Sequence, residues 1–261
     1  MASQTLAESR RSRLLELVRR RGFSPLSELA ESLDVSESTI RRDLDVLEET
    51  GSAKRTHGGV YYTGPSPELP HFERLQAEQL EQKRWIAQRA AELIEEGDTV
   101  VLDGGSTTYE LARLLVDRAL QVVTNSLPVA NLFTASDRAD LVIIGGNVHT
   151  RSGVCLGPYA NGMLANLTAR RAVLSVSGVN DHGFYNSNLL LVGTEQAMMQ
   201  AADEVIVVAD SSKFGHSSLA LLCGLSEIDT LVVDNGISAA WRCRVREAGV
   251  RLLSAGPDLE A

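Results

Sequence analysis

The sequence has few cysteines and no long apolar run. Its three cysteines, Cys155, Cys223 and Cys243, are far apart and odd in number, which argues against a disulfide framework or a zinc cluster. No stretch approaches the ~18 apolar residues of a membrane helix, and arginines within residues 10–13 interrupt the apolar core that a signal peptide needs. We therefore expect a cytoplasmic protein with no membrane partner, in which each cysteine is a small buried side chain.

The chain also lacks a basic surplus, because its net charge is −9. The charge is unevenly distributed: residues 1–60 hold 10 Lys/Arg and 10 Asp/Glu, whereas residues 61–261 hold 15 and 24. A neutral head can still present one basic face, and an acidic body is repelled by phosphates. The asymmetry predicts two parts with different partners.

The first 62 residues have the spacing of three short helices followed by a hairpin. We expect the first helix at about residues 8–21 and a second, with one apolar face, to begin near Pro25. A third helix extends from Ser36, its N-cap, to about Thr50. The segments on either side of Gly58 and Gly59 read as a small hairpin.

The third helix has two different faces. Ile40, Leu44 and Leu47 recur at helical spacing and form the buried side. The first turns instead carry hydroxyl and guanidinium groups, which suit phosphates and guanine edges in a major groove. The same pattern also fits a three-helix bundle that binds another protein. Under the first interpretation the DNA-binding residues are Ser36, Ser38, Thr39, Arg41 and Arg42 on the helix, with Lys54, Arg55 and His57 on the hairpin.

The segment from Val35 to Leu44, with Arg55-Thr-His-Gly-Gly-Val60, closely resembles the DeoR family of bacterial repressors. The resemblance implies a winged helix-turn-helix at residues 8–62, and double-stranded operator DNA as the partner. A stretch with three prolines follows, so residues 63–78 are predicted to be a linker.

From about residue 80, short β-branched runs alternate with helical stretches. The runs centre on residues 100–102, 122–123, 141–144, 172–176, 205–209 and 231–233. Continuous apolar strands of this kind predict a mostly parallel sheet covered on both faces. The overall fold class is therefore α+β, with a helix-turn-helix domain followed by an α/β domain at residues 79–256.

The segment Val100-Val-Leu-Asp-Gly-Gly-Ser-Thr-Thr-Tyr-Glu predicts a strand, a glycine turn and a helix. Glycines allow close backbone approach to a ligand, and a helix N-terminus suits an anion such as phosphate. Alternatively, the hydroxyls only cap the helix, for example in a capping box between Thr107 and Glu110. Both interpretations stay open on these residues alone.

Further polar groups follow other predicted strands, where parallel sheets bind ligands. Lys213 suits a phosphate and Asp210 suits sugar hydroxyls, although the two also fit a surface ion pair. Asn125 fits either a ligand contact or a turn.

Residues 80–235 resemble the sensor domain of the DeoR family, which is similar to ribose-5-phosphate isomerase and glucosamine-6-phosphate deaminase. The resemblance implies a phosphorylated sugar or related metabolite as effector, with no cofactor and no metal. The chain departs from many relatives at Leu191 and Glu195, where an acidic residue and a lysine are common. The implied effector-binding residues are Asp103, Gly104, Gly105, Ser106, Thr107, Thr108, Asn125, Gly145, Gly146, Asp210 and Lys213.

Two functions fit these features. The first is an effector-controlled repressor, a dimer or tetramer of identical chains, since operators are usually paired half-sites. The second is a sugar-phosphate isomerase or deaminase with a DNA-binding head, in which Asp181 would be the catalytic base. We expect the first, and hence no catalytic residue.

Overall fold

The computed structural model describes residues 10–18, 23–49, 53–55, 59–62 and 72–257. The chain divides into two units, of which one contains residues 1–69 with Ser217–Leu219 and the other contains the rest. We call the first the head and the second the body, and each is described by itself. Among the described helices, none has the length and apolar character needed to cross a membrane.

The head contains three helices and a three-stranded antiparallel sheet. Residues 10–18 are helical (α1), followed by β1 (Phe23–Ser24), α2 (Leu26–Ser32) and α3 (Glu37–Glu49). The strands β2 (Ala53–Arg55) and β3 (Val60–Tyr62) form the predicted hairpin, and β1 adds to its free side through β3. Leucine and isoleucine side chains from all three helices meet in one core that includes Leu14, Leu29, Ile40 and Leu44.

The body is a parallel sheet of seven strands with helices on both faces, as expected from its apolar runs. Along the chain its elements are α4 (Phe72–Ala77), α5 (Leu80–Ala91), β4 (Thr99–Leu102), α6 (Ser106–Leu115), β5 (Gln121–Thr124), α7 (Leu127–Phe133), β6 (Asp140–Ile143), β7 (Asn147–His149), β8 (Val154–Leu156), α8 (Pro158–Leu164), β9 (Ala169–Ser175), β10 (Gly178–Asn180), β11 (Gly183–Asn186), α9 (Leu189–Gln200), β12 (Ala202–Ala209), β13 (Ala220–Cys223), β14 (Thr230–Asp234), α10 (Ala239–Glu247) and β15 (Arg251–Ala255).

The order of strands in the large sheet is β15-β14-β12-β9-β4-β5-β6. Alternate residues of β4 face opposite layers: Val101 packs with α8 and α9, whereas Val100 and Leu102 pack with α5, α6 and α7. This alternation is why the strands read as continuous apolar runs. The strand β15, at the edge of the sheet beside β14, was not among the predicted strands.

Two sequence expectations change in the structure. Helix α4 lies within residues 63–78, which were predicted to be a linker, and it belongs to the body. Cys155 and Cys223 are buried as expected, but the prediction for Cys243 is wrong because its side chain is exposed on α10.

A buried ion-pair group joins the start of β4 to β9. Arg171 and Asp98 are 7% and 2% exposed, and the arginine donates through Nη1 to Asp98 and through Nε to Glu204 Oε2 at 2.8 Å. The second oxygen of Asp98 lies 3.2 Å from Arg170 Nη1. A buried guanidinium needs such partners because its desolvation costs several kcal/mol.

We expect Asp98→Ala to destabilise the body by about 3 kcal/mol, because it leaves Arg171 buried with an incomplete set of partners. The measurement is urea unfolding followed by tryptophan fluorescence, since Trp85 and Trp241 both lie in the body. Glu92→Ala is the control, because it removes a carboxylate from an exposed pair with Arg89 and should cost at most about 1 kcal/mol. Equal losses in the two variants would contradict the prediction.

Candidate functional site

The first turn of α3 carries a connected group of hydroxyls. Ser36 Oγ lies 2.8 Å from Ser38 Oγ and 2.9 Å from Thr39 Oγ1, and it accepts a hydrogen bond from the Thr39 backbone N–H at 3.3 Å. Ser36 is therefore the N-cap of α3, as predicted. Ser36 and Ser38 are exposed, so their hydroxyls are available to an anion at the positive end of the helix.

The two adjacent arginines of α3 have different surroundings. Both Arg41 and Arg42 are exposed, but Arg41 Nη2 lies 3.2 Å from Glu37 Oε2, four residues earlier on the helix. The next residue, Asp43, points inward and accepts from Arg10 Nε at 2.5 Å and Nη2 at 3.1 Å. This paired contact ties α1 to α3, so the exposed arginines stand on a helix held in place from behind.

The hairpin places Lys54 and Arg55 on β2, paired in register with Tyr61 and Val60 of β3. It has the position of the wing in a winged helix-turn-helix. The side chains of Lys54 and Arg55, and all of His57, lie outside the part of the chain that the structure describes. The roles expected for them on DNA remain predictions.

In the body, the strand order brings the predicted effector residues to one edge of the sheet. Because the strands are parallel, Asp103 after β4, Asn125 after β5 and Asp210 after β12 all follow carboxyl ends. The chain winds outward in one direction from β4 through β5 and β6, and β9 lies on the other side of β4. Ligands in such folds bind at this reversal point. Gly145 and Gly146 also belong to this edge, just beyond β6.

Asp103 is buried and holds two strands together at the reversal point. Its Oδ2 accepts from Ser175 N at 2.7 Å and Ser175 Oγ at 2.8 Å, at the end of β9, and its Oδ1 accepts from Gly105 N at 3.0 Å. Burial raises the pKa of Asp103, and these donors act against that rise. Most of its accepting capacity is directed to the protein itself.

The two glycines after Asp103 are required by packing. A Cβ on Gly105 would lie 1.6 Å from Ser175 Oγ, and a Cβ on Gly104 would lie 2.1 Å from Val154 Cγ1. The groups that approach these two glycines closely are therefore the protein's own side chains, those of Ser175 and Val154. Ser106, Thr107 and Thr108 follow, and all three are buried.

Helix α6 begins at Ser106 with Gly105 as its N-cap, and its start has no side-chain cap. The alternative of a capping box between Thr107 and Glu110 is therefore not realised. Glu110 instead lies 3.2 Å from Arg113 Nη1 and 3.6 Å from Arg84 Nε, which draws its carboxylate along the helix. The first N–H groups of α6 receive no hydrogen bond from a capping side chain.

Two buried acceptors and one buried hydroxyl, Thr108 Oγ1, have no hydrogen-bond partner at this edge among the described residues. Asn125 donates through Nδ2 to Cys155 O at 2.9 Å, but its Oδ1 is unpaired. Asp210 accepts through Oδ1 from Ser212 N at 3.1 Å, while its Oδ2 is unpaired and has Lys213 Nζ at 3.7 Å. Buried unpaired acceptors are uncommon in folded proteins, and each therefore needs a reason.

The two glycines after β6, Gly145 and Gly146, differ in the space around them. Gly146 has a φ of +155°, and a Cβ there would lie 2.9 Å from Leu156 O. Gly145 has open space around its Cα, and its N–H is 3.4 Å from Met163 Sδ. Gly146 is thus fixed by the backbone of β8, whereas Gly145 has room beside it.

The structure adds two buried charged residues that the prediction did not include in the site. Glu195 on α9 accepts from Asn186 Nδ2 through Oε1 at 2.7 Å and Oε2 at 2.8 Å, and Asn186 also donates to Ser175 O at 3.1 Å. Burial, and then the nearby Asp103, raise the pKa of Glu195 well above its ordinary value. The sequence departure at Glu195 therefore places a buried carboxyl group with a raised pKa next to the Asp103 loop.

The second addition is Lys83 on α5, which is 3% exposed. The sequence offered one signal for it, a lysine on the apolar side of a helix that otherwise buries Ile86, Ala87 and Ala90. A buried lysine is rare unless it is paired.

Asp181, the base that an isomerase would need, is 65% exposed and lies 2.8 Å from Arg244 Nη1. Within the described residues no cluster of His, Cys, Asp and Glu is arranged to hold a metal ion.

Both parts of the chain match known family domains. Residues 10–65 match the DeoR-like helix-turn-helix domain and residues 78–235 match the DeoR C terminal sensor domain. The chain belongs to the DeoR family of transcriptional regulators. The expected winged helix-turn-helix with an α/β sensor is thereby confirmed, and so is the expectation of a regulator in place of an enzyme.

Curated relatives match along most of their length. The glycerol-3-phosphate regulon repressor of Escherichia coli is 31% identical, over 86% of this chain and 90% of the relative. The lactose phosphotransferase system repressor of Staphylococcus epidermidis is 32% identical, over 85% and 90%. The transcriptional repressor CsqR of Escherichia coli is 29% identical, over 94% of both chains.

Among solved structures, ribose 5-phosphate isomerase A from Methanocaldococcus jannaschii overlaps with 52% of this chain and 55% of its own. The TM-score is 0.37 and the sequence identity is 17%. An overlap of this size identifies neither a ligand nor a reaction for the DeoR-family chain.

The raised pKa of Glu195 gives a pH dependence with a defined sign. A carboxyl whose pKa is raised by folding binds a proton on folding, so its contribution to stability falls as pH rises from its unfolded value toward its folded value. Each unit of that rise corresponds to about 1.4 kcal/mol. The charged and titratable groups near it include Asp103 and Cys223.

We expect Glu195→Gln, which keeps the shape without the titration, to unfold at a higher temperature than the native chain at pH 8 and to differ little at pH 5. Thermal unfolding at four pH values between 5 and 8 measures this. The control is Glu247→Gln, which removes an exposed carboxyl beside Cys243 on α10. A constant difference between Glu195→Gln and the native chain at all four values would show that Glu195 does not titrate in this range.

Proposed function

We propose that this protein represses a carbohydrate-metabolism operon. A phosphorylated sugar or related metabolite that binds to the body controls the affinity of the protein for operator DNA. The observation that carries the effector part is the carboxyl edge of the sheet, where the uncapped start of α6 shares one edge with unpaired acceptors and Lys213. The printed functions of two relatives, repression of a glycerol-3-phosphate regulon and of a lactose phosphotransferase system, support the choice of ligand class.

On DNA, we infer that the first turn of α3 enters the major groove. The Ser36, Ser38 and Thr39 hydroxyls bind phosphates or bases, and Arg42 reads a base edge. Arg41 has an acidic neighbour in Glu37 and contributes less to sequence discrimination. The wing residues Lys54, Arg55 and His57 reach the phosphate backbone in this proposal.

In the body, we infer that the phosphate lies on the free N–H groups at the start of α6, within Asp103–Thr108. Lys213 neutralises part of its charge. Asn125 Oδ1 and Asp210 Oδ2 accept from ligand hydroxyls, which gives each unpaired atom a donor. Gly145 leaves room for the sugar, and Glu195, in the place where many relatives carry a lysine, makes this end of the site suited to a less anionic ligand.

Two copies of the head are needed to read two half-sites, so we propose that the chain works as a dimer or tetramer in the cytoplasm, on the nucleoid. Coupling between effector and operator is reciprocal, because the free energy by which one ligand changes the affinity of the other is the same in both directions. Whichever ligand strengthens DNA binding is itself bound more tightly by the DNA complex.

We expect Arg42→Ala to weaken binding to the promoter of the protein's own operon by about 1–3 kcal/mol, because it removes a base contact. Gel-shift titration at a fixed salt concentration measures the affinity. Arg89→Ala, which removes the same charge from an exposed position in the body, is the control and should bind normally. Failure of the unaltered protein to shift any neighbouring promoter at low salt would refute the DNA-binding proposal.

A panel of sugar phosphates tests the effector site by thermal shift. A true ligand at 100 times its dissociation constant adds about 2.7 kcal/mol to the folded state. We expect Lys213→Met to reduce that shift strongly and to leave DNA affinity unchanged, since Lys213 is partly exposed and lies at the site. A full shift in Lys213→Met would remove Lys213 from the effector site.

A further inference from the structure

Lys83 lies near two features of the body, the end of helix α4 and Asp210 after β12. It lies in the first turn of α5, and α5 packs against β12, β14 and β15. Since α5 leads into the start of β4 after a short loop, it is antiparallel to the strands, and its first turn lies at their carboxyl edge. Lys83 is therefore at the same edge as Asp210, deep in the body.

The Lys83 ammonium donates to the backbone at the end of α4. Its Nζ bonds to Leu75 O in the last turn of that helix and to Glu78 O at 2.6 Å, just beyond it. Carbonyls at a helix end have no partner within the helix, so a buried lysine that reaches them fixes where α4 ends. Gln79 follows with a φ of +52°, which turns the chain sharply into α5.

An ammonium has three N–H groups, and these two carbonyls use two of them. Burial lowers the pKa of Lys83, and attraction to Asp210 is the largest influence that opposes this fall. Asp210 in turn is 1% exposed and has one oxygen without a hydrogen-bond partner among the described residues. The carboxylate that the effector is proposed to contact thus favours the charged form of Lys83.

Helix α4 also touches the other half of the proposed effector site. Phe72, at its start, packs edge-on against Tyr109 in the first turn of α6, with ring centroids 5.3 Å apart. One short helix is therefore contacted at its start by α6 and at its end by Lys83. Along the chain, α4 is the first described element of the body after the head.

We propose that Lys83 is the positioning residue that couples Asp210 to α4, so that occupation of the effector site changes how firmly the segment arriving from the head is held. This rests on the proposed function for the location of the effector. A ligand group that donates to Asp210 reduces the attraction of this carboxylate for the Lys83 ammonium and thereby weakens the two carbonyl contacts. A ligand that does not contact Asp210 leaves α4 in place.

Hydrogen exchange of the full-length protein tests this with no ligand and no DNA, so its failure is distinguishable from failure of the proposed function. The readout is exchange of the amides in residues 74–79, in a cycle of Asp210→Asn, Lys83→Met and the double variant. We expect Asp210→Asn to speed this exchange about fivefold when Lys83 is present, and by less than twofold in Lys83→Met. Exchange in the central turns of α5 should stay unchanged.

Arg89→Met is the matched control, because it removes a charge from α5 at the end away from α4. In the Arg89→Met chain, Asp210→Asn should speed amide exchange in residues 74–79 about fivefold, as it does in the native chain. Equal responses to Asp210→Asn with and without Lys83, or no response in the native chain, would overturn the proposal. If Lys83→Met is not recovered folded, Lys83→Gln replaces it, since it keeps hydrogen-bond donors and loses the charge to which Asp210 responds.

Discussion

The Asp103 carboxylate is the contact on which the arrangement of the body depends. It lies where the winding of the sheet reverses, and it accepts hydrogen bonds from the end of β9 and from its own loop. Without it, the carboxyl ends of β4 and β9 would lose a side-chain link that adds to their backbone pairing. The start of α6, Glu195 and Asn186 are all located relative to that link. A carboxylate so fully occupied by protein donors is a support for the site more than a contact for its ligand.

The head uses the same device on a smaller scale. Asp43 faces inward from α3 and receives a two-point contact from Arg10 of α1, while its neighbours Arg41 and Arg42 face outward. One acidic residue between basic and apolar neighbours thus fixes the roll of the helix about its axis. That roll decides which side chains the helix presents to a groove.

Much of the architecture could be predicted from the sequence, because strands that are buried on both faces consist of uninterrupted runs of apolar residues. The Asp103 loop and the strand-end positions of Asn125 and Asp210 followed from the same pattern. The strand β15 was missed because Arg251 and Ser254 interrupt its short apolar run. The alternative of a capping box at Thr107 could not be decided from spacing, because Gly105 is the N-cap and Arg84, from another helix, pairs with Glu110.

Long-range partners account for the rest. Glu195 and Asn186 are nine positions apart in the chain and meet only because α9 folds back over β11. No role for Lys83 could be predicted, because the carbonyls it contacts are backbone atoms that no residue type reveals. The reason for the glycines was also hidden, since Ser175 and Val154 fill the space beside them from distant strands.

That crowding limits how a sensor of this design changes its ligand. No side chain fits at Gly104 or Gly105, so the Asp103 loop tolerates almost no substitution at these two positions. Differences in specificity must come from the rim that other elements contribute, at positions such as Gly145, Glu195 and Lys213. In the proposed effector site, the Asp103 loop holds the phosphate of any ligand, and the residues that distinguish one sugar from another lie elsewhere in the chain.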